Sequence, residues 1–184
     1  MLTRLQRVGF VVLLVGAIAG GGYWAVTAGR RQGKRWAWLT PETRTKAIAL
    51  VAEANRQGLK VMFWDGWRDP SETLKNIAKG TSKVKDAYGS RHTWGVAFDL
   101  VFKNPVGLPS WPDADDPRWQ KLGRIGKQMG LRWGGDFTTI FDGPHFYLPS
   151  FSMATARRVY GINYQGWLAY KGVRIPGATQ TMIA

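Results

Sequence analysis

Two histidines occur in 184 residues, His92 and His145, and each has an aspartate close by in the chain. Asp99 follows the first; Asp142 precedes the second. Two imidazoles and one carboxylate make a three-ligand zinc set that leaves a fourth position open for water, the arrangement of catalytic rather than structural sites. His92, Asp99 and His145 are therefore the candidate metal ligands. Asp142 is then a spare carboxylate beside a ligand, where a general base for the attacking water is wanted. The chain has no cysteine, which excludes disulfides and thiolate metal sites and leaves any transition metal to His and carboxylate.

The elements that must position these groups show in the pattern of caps and apolar residues. Thr40-Pro41-Glu42 starts a helix, with Ala47, Ile48, Val51 and Ala54 at helical spacing and Gly58 after its end. Val61 to Trp64 reads as a short strand. Asp69-Pro70-Ser71-Glu72 starts a second helix, with Leu74, Ile77 and Ala78 expected to face inward. Val96 to Phe102 alternates, so that Val96, Phe98, Leu100 and Phe102 share one face while Ala97, Asp99 and Val101 share the other. A carboxylate in such a strand needs a partner, and a metal is one. Residues 104–116 read as a Pro- and Asp-rich loop. A third helix begins at Asp116-Pro117 and carries Trp119, Leu122, Ile125 and Met129. Trp133 to Phe137 reads as loop and His145 to Leu148 as a last strand. This order implies an α+β domain with a small, largely antiparallel sheet and flanking helices. The domain is expected over 36–150, after a basic linker at 30–35. Residues 151–184 form a C-terminal extension without clear periodicity beyond Tyr160.

Residues Val8 to Gly29 carry no charge, and as a helix they would reach about 33 Å, enough to span a bilayer core. Arg4 and Arg7 precede this run, and Arg30, Arg31, Lys34 and Arg35 follow it. Three readings stand side by side: a permanent membrane anchor, a cleaved signal peptide with Ala17-Ile18-Ala19 as its small-residue site, and a loosely held segment that can leave the membrane. All three export the domain to the periplasm or cell-wall space. The net charge of +14 asks for a polyanionic partner such as nucleic acid, a membrane surface or the bacterial wall. The positive residues are scattered, with no basic helix or aromatic-basic module, so nucleic acid is not expected.

Taken together, Ser90-x-His92-x-x-Gly95-x-Ala97-x-Asp99 and Asp142-x-Pro144-His145 resemble the zinc peptidases of family M15. These cut bacterial peptidoglycan stems and include D-Ala-D-Ala carboxypeptidases and L-alanyl-D-glutamate endopeptidases. Gly66-Trp67-Arg68 resembles the family's Gly-Tyr-Arg element, with Trp for Tyr. Trp133-Gly134-Gly135-Asp136-Phe137 resembles the Trp-Gly-Gly-Asp-Trp loop of its phage endolysin branch, and the glycine-diluted N-terminal run resembles signal-arrest-release segments of some endolysins. The resemblance covers about Leu39 to Leu148. It implies His92, Asp99 and His145 as zinc ligands and Asp142 as general base. Arg68 would sit by the scissile carbonyl or a substrate carboxylate, and Ser90 would line the substrate site. The implied partners are the peptidoglycan stem peptide and, through the N-terminal segment, the inner membrane; the implied state is a monomer. The function implied first is an L-alanyl-D-glutamate endopeptidase acting as an endolysin. The alternatives are a D-alanyl-D-alanine carboxypeptidase and a non-catalytic zinc-bearing envelope binding module.

Overall fold

Helix α1 (Pro41–Arg56) forms where its signals stand: the Thr40 hydroxyl accepts a hydrogen bond from Thr43 N at 3.2 Å, and Pro41 occupies the first turn. The structure, a computed structural model, describes residues 35–161 and 163–171. The inward stripe of α1 is Thr43, Ala47, Leu50 and Ala54. Ile48 points out instead and is 59% exposed; it stands one residue past Ala47, about 100° around the helix. After strand β1 (Val61–Asp65) comes α2 (Pro70–Ala78), capped by Asp69 accepting from Ser71 N at 2.8 Å. Here the expected inward face was misplaced. Leu74 and Ala78 are exposed, Ile77 is half-buried, and Pro70 and Thr73 are buried. The reason is a polar contact: the Thr73 hydroxyl meets that of Thr93 at 3.1 Å, so α2 docks through its first turns rather than through a leucine stripe.

A four-residue helix, α3 (Arg91–Trp94), leads into the central strand β2 (Ala97–Lys103). Gly95 makes this sharp change possible. It takes a left-handed φ of 73°, and a Cβ there would meet the Trp38 carbonyl at 2.4 Å. Strand β3 (Pro109–Ser110) lies inside the stretch expected to be loop and pairs with the end of β2. Helix α4 (Pro117–Gln128) buries Trp119, Leu122 and Ile125. Strand β4 (Arg132–Trp133), also expected as loop, is followed by a 3₁₀ turn at Gly134–Asp136 and by β5 (His145–Tyr147).

The five strands form one antiparallel sheet in the order β1-β2-β5-β4, with β3 paired to β2. Phe98, Leu100 and Phe102 of β2 join Leu50, Trp119, Leu122, Trp133 and Phe146 in the core. The register between β1 and β2 shifts between Phe63 and Asp65, which sets Asp65 opposite Asp99.

The described part of the C-terminal extension carries two helices. Helices α5 (Met153–Tyr160) and α6 (Tyr164–Tyr170) add Ala156 and Trp167 to the same core. The Trp167 indole stacks on Trp67 and donates to the Thr93 carbonyl at 2.9 Å. Lys171 closes the contact by donating to the carbonyls of Trp38 at 2.9 Å and Trp94 at 3.1 Å. Val8 to Gly29 lies outside the described residues, among which no helix is long and apolar enough to cross a membrane.

Burial lowers the Lys171 pKa from 10.5 to about 8. Between those values the unfolded chain holds the proton and the folded chain does not, so stability rises with pH across this window. We expect the urea unfolding free energy to increase by on the order of 1 kcal/mol from pH 7.5 to 9.5. The Lys171→Met variant should lack that increase; an unchanged slope would show that Lys171 is not the buried group responsible.

Candidate metal centre

The ends of β1, β2 and β5 and the short helix α3 meet at one place. Asp99 of β2 pairs in register with His145 of β5, and α3 lays His92 over both. His92 Nε2 stands 3.0 Å from His145 Nδ1 and 3.3 Å from Asp99 Oδ1, and His145 Nδ1 stands 3.1 Å from Asp99 Oδ1. Both imidazoles are buried. Among the described residues this is the one group of three such donors close enough to hold a metal ion.

The donor set fits zinc. Bonds of about 2.0 Å place tetrahedral ligand atoms about 3.3 Å apart, near the spacings seen here. The tautomer also fits. His92 Nδ1 lies 2.6 Å from the Gly66 carbonyl, which can only accept, so Nδ1 carries the proton and Nε2 of the neutral ring turns its lone pair inward. Three lone-pair donors then converge on a single point, an arrangement that a cation relieves. In protein terms alone, burial disfavours a charged His92, but Asp99 beside it outweighs this and raises its pKa. Burial likewise works against an ionised Asp99, yet His92 and His145 hold its carboxyl well below the usual range.

The Gly66-Trp67-Arg68 segment clamps α3 from outside. Besides the Gly66 carbonyl, Arg68 N donates to the His92 carbonyl at 3.2 Å. The Arg68 guanidinium donates to Asp65 at 2.8 Å and lies 4.0 Å from Asp99. Asp65 is shared with Arg35, which also pairs with Glu72. Burial disfavours the Arg68 charge, but Asp65, Asp99 and Glu72 more than restore it.

A cleft of about 390 Å³ opens over the three donors. Its lining contains His92, Asp99, His145, Asp142, Arg68 and Ser90, so every site residue expected from the sequence comes together. Ser90 precedes α3 without using its side chain as a cap. Burial pushes the Asp142 carboxyl above its ordinary pKa, against the pull of His145. The turn at 134–136 sets its position: Asp142 N donates to the Gly134 carbonyl at 3.2 Å, and a Cβ on Gly134 would meet the Asp142 carbonyl at 2.5 Å. Asp136 of the same turn faces out and pairs with Lys127 at 3.0 Å. Trp94 and Trp133 are core residues, both fully buried. Arg91 also lines the cleft and was not expected from the sequence. It occupies the open position of Ser90-x-His92, where residue type alone carries no signal.

A buried His₂–carboxylate set beside a spare carboxylate, on a small antiparallel sheet, defines a metallopeptidase-type centre. The family model described as D-alanyl-D-alanine carboxypeptidase, of the M15 peptidases, matches residues 84–148. The peptidoglycan L-alanyl-D-glutamate endopeptidase CwlK of Bacillus subtilis is 30% identical over 119 residues, covering 58% of this chain and 71% of CwlK. The L-alanyl-D-glutamate peptidase of Listeria phage A118 is 25% identical over 107 residues, covering 58% of this chain and 37% of that protein. In fold, the chain is similar to the Serratia marcescens L-Ala D-Glu endopeptidase ChiX, with a TM-score of 0.50 and 23% identity over 71% of this chain and 90% of that one. The chain belongs to the M15 peptidase family.

Removing either imidazole leaves two donors where three are needed. His92→Ala and His145→Ala should each lower zinc affinity by at least about 100-fold, read by competition with a chromophoric chelator. Wild-type affinity in either variant would sink the ligand assignment.

Proposed function

We propose that the protein is an exported zinc metallopeptidase that hydrolyses the L-alanyl-D-glutamate bond of the peptidoglycan stem, in the manner of an endolysin. The observation that carries this reading is the presence of Asp142 in the same cleft as the three donors. A binding module needs the metal but not a carboxylate beside it. The choice of bond is supported by CwlK and the phage peptidase, both named for L-alanyl-D-glutamate cleavage. The description of the matching family model names the alternative, a D-alanyl-D-alanine carboxypeptidase.

Zinc held by His92, Asp99 and His145 would supply Lewis-acid polarisation and a water acidified to about pKa 7. Asp142 takes the proton as the water oxygen bonds to the carbonyl carbon, then delivers it to the departing nitrogen as the C–N bond breaks. Arg68 is fixed by Asp65 and offers its remaining N–H groups to the developing oxyanion. Ser90 lines the substrate side.

The positive charge of the chain suits the anionic envelope, and export follows from the charge-free run at Val8 to Gly29 in any of its three readings. Replacing Gly20, Gly21 and Gly22 by Leu should hold the full chain in the membrane fraction. A wild type already inseparable from membranes would rule out a releasable segment.

Mass spectrometry of purified peptidoglycan digested by the zinc-loaded protein should show stem peptides that begin at D-glutamate. Loss of a terminal D-alanine alone would move the protein to the carboxypeptidase reading. No product from folded, zinc-loaded protein would favour the binding module. Asp142→Asn should retain zinc and lower kcat by about 100-fold or more; undiminished turnover would remove Asp142 as the base.

A further inference from the structure

Three cationic side chains line the cleft: Arg68, Lys83 and Arg91. They are not equivalent. Arg68 is already committed to Asp65, with Asp99 close behind, and Lys83 is exposed at the rim. Arg91 is half-buried, and no carboxylate pairs with it among the described residues. Its Nε is buried without a hydrogen-bond partner. What fixes the side chain is an aromatic ring. The guanidinium carbon lies 4.2 Å from the centre of Tyr147, and Tyr147 in turn lies 5.7 Å from the His145 ring. The chain therefore holds a cation with no carboxylate partner among the described residues against an aromatic ring, one ring from the candidate metal ligands, with N–H groups to spare. A half-buried cation without an anion is partly desolvated and unpaired, a cost that an anion arriving with the ligand removes.

The substrate supplies one in a defined place. On the departing side of an L-alanyl-D-glutamate bond, the D-glutamate Cα carries a free α-carboxylate, because the stem continues through the γ-carboxyl. Carbonyl carbon, nitrogen, Cα and carboxylate carbon are consecutive atoms, so the carboxylate lies within about 4 Å of the attacked carbon. It must enter the same cleft as the scissile bond. We propose that Arg91 is the anchor for this α-carboxylate, a specificity-determining residue that selects D-glutamate over its α-amide, D-isoglutamine. The planar fork of the guanidinium matches a carboxylate with two parallel hydrogen bonds and matches an amide poorly, since the amide NH₂ opposes its donors. The ring of Tyr147 keeps the fork oriented, so little side-chain freedom is lost on binding.

This inference rests on the endopeptidase reading, and its test separates the two. Stem tripeptides carrying D-glutamate or D-isoglutamine are compared by kcat/KM on the zinc-loaded protein. The wild type should prefer the carboxylate by about tenfold or more. In Arg91→Gln this ratio should fall towards one, and Arg91→Lys, which keeps the charge and loses the fork, should lie between. Because both substrates meet the same preparation, the ratio is independent of the fraction of folded enzyme. Calorimetric binding of the two cleaved products, beginning at D-glutamate and at D-isoglutamine, reads the same contact without turnover. A wild type indifferent to amidation, or an Arg91→Gln variant that keeps the full preference, overturns the proposal while leaving the endopeptidase reading intact. Cleavage of neither peptide by the wild type overturns that reading itself.

Discussion

A carboxylate at the centre of a buried strand is the constraint on which the rest of the site depends. Asp99 sits in β2 between two strands, and its charge must be met within the protein or by what the protein binds. Two imidazoles face it on one side, and Arg68 approaches on the other. Behind Arg68 the charges alternate through Asp65 and Arg35 to Glu72. This series ties the end of β1 and the start of α2 to the metal ligands. Arg35 is held between two carboxylates and so serves to position other groups, while Arg68, held by Asp65, still lines the cleft. The shifted register near Trp64 is what brings Asp65 opposite Asp99 to join the series.

Much of this was legible in the sequence, for reasons that differ by element. Helix starts are written locally, because Thr40, Asp69 and Asp116 each accept a hydrogen bond from an amide two or three residues on. The alternation of β2 is equally local. Strands β3 and β4 are not: two residues each, they exist only through pairing with β2 and β5. Leu74 faces out against expectation because hydrophobicity does not say which side of a helix meets a partner, and α2 meets its partner through Thr73. Helix α6, beyond Tyr160, hid behind a lack of periodicity. Trp167 anchors α6 to the core through its indole, which stacks on Trp67 and donates to the Thr93 carbonyl.

The ligands and Asp142 were legible because they fall in two short segments with fixed spacing. Arg91 was not, although it lies within the first of them. Its significance comes from Tyr147, a residue distant in sequence, and from the absence of a carboxylate partner among the described residues. Pattern reading finds groups defined by what stands next to them in the chain. A group defined by what does not stand next to it in space needs the fold.

The Trp-Gly-Gly-Asp turn shows how tightly the fold couples Asp142 to His145. Gly134 is pressed against both the Asp142 carbonyl and the His145 Cβ, at 2.5 and 2.9 Å from where its own Cβ would stand. The Trp133 indole donates to the Gly143 carbonyl at 2.8 Å, between those two residues, and His145 N donates to the Asp142 carbonyl at 3.1 Å. The acidic residue of the turn, Asp136, faces away from the cleft. The turn therefore contributes backbone and shape rather than chemistry. The proposed base would have to keep its distance from the metal to within a fraction of an ångström. Carrying Asp142 and His145 on one short segment, wedged against a residue with no side chain, meets that need: neither group can shift without moving the other.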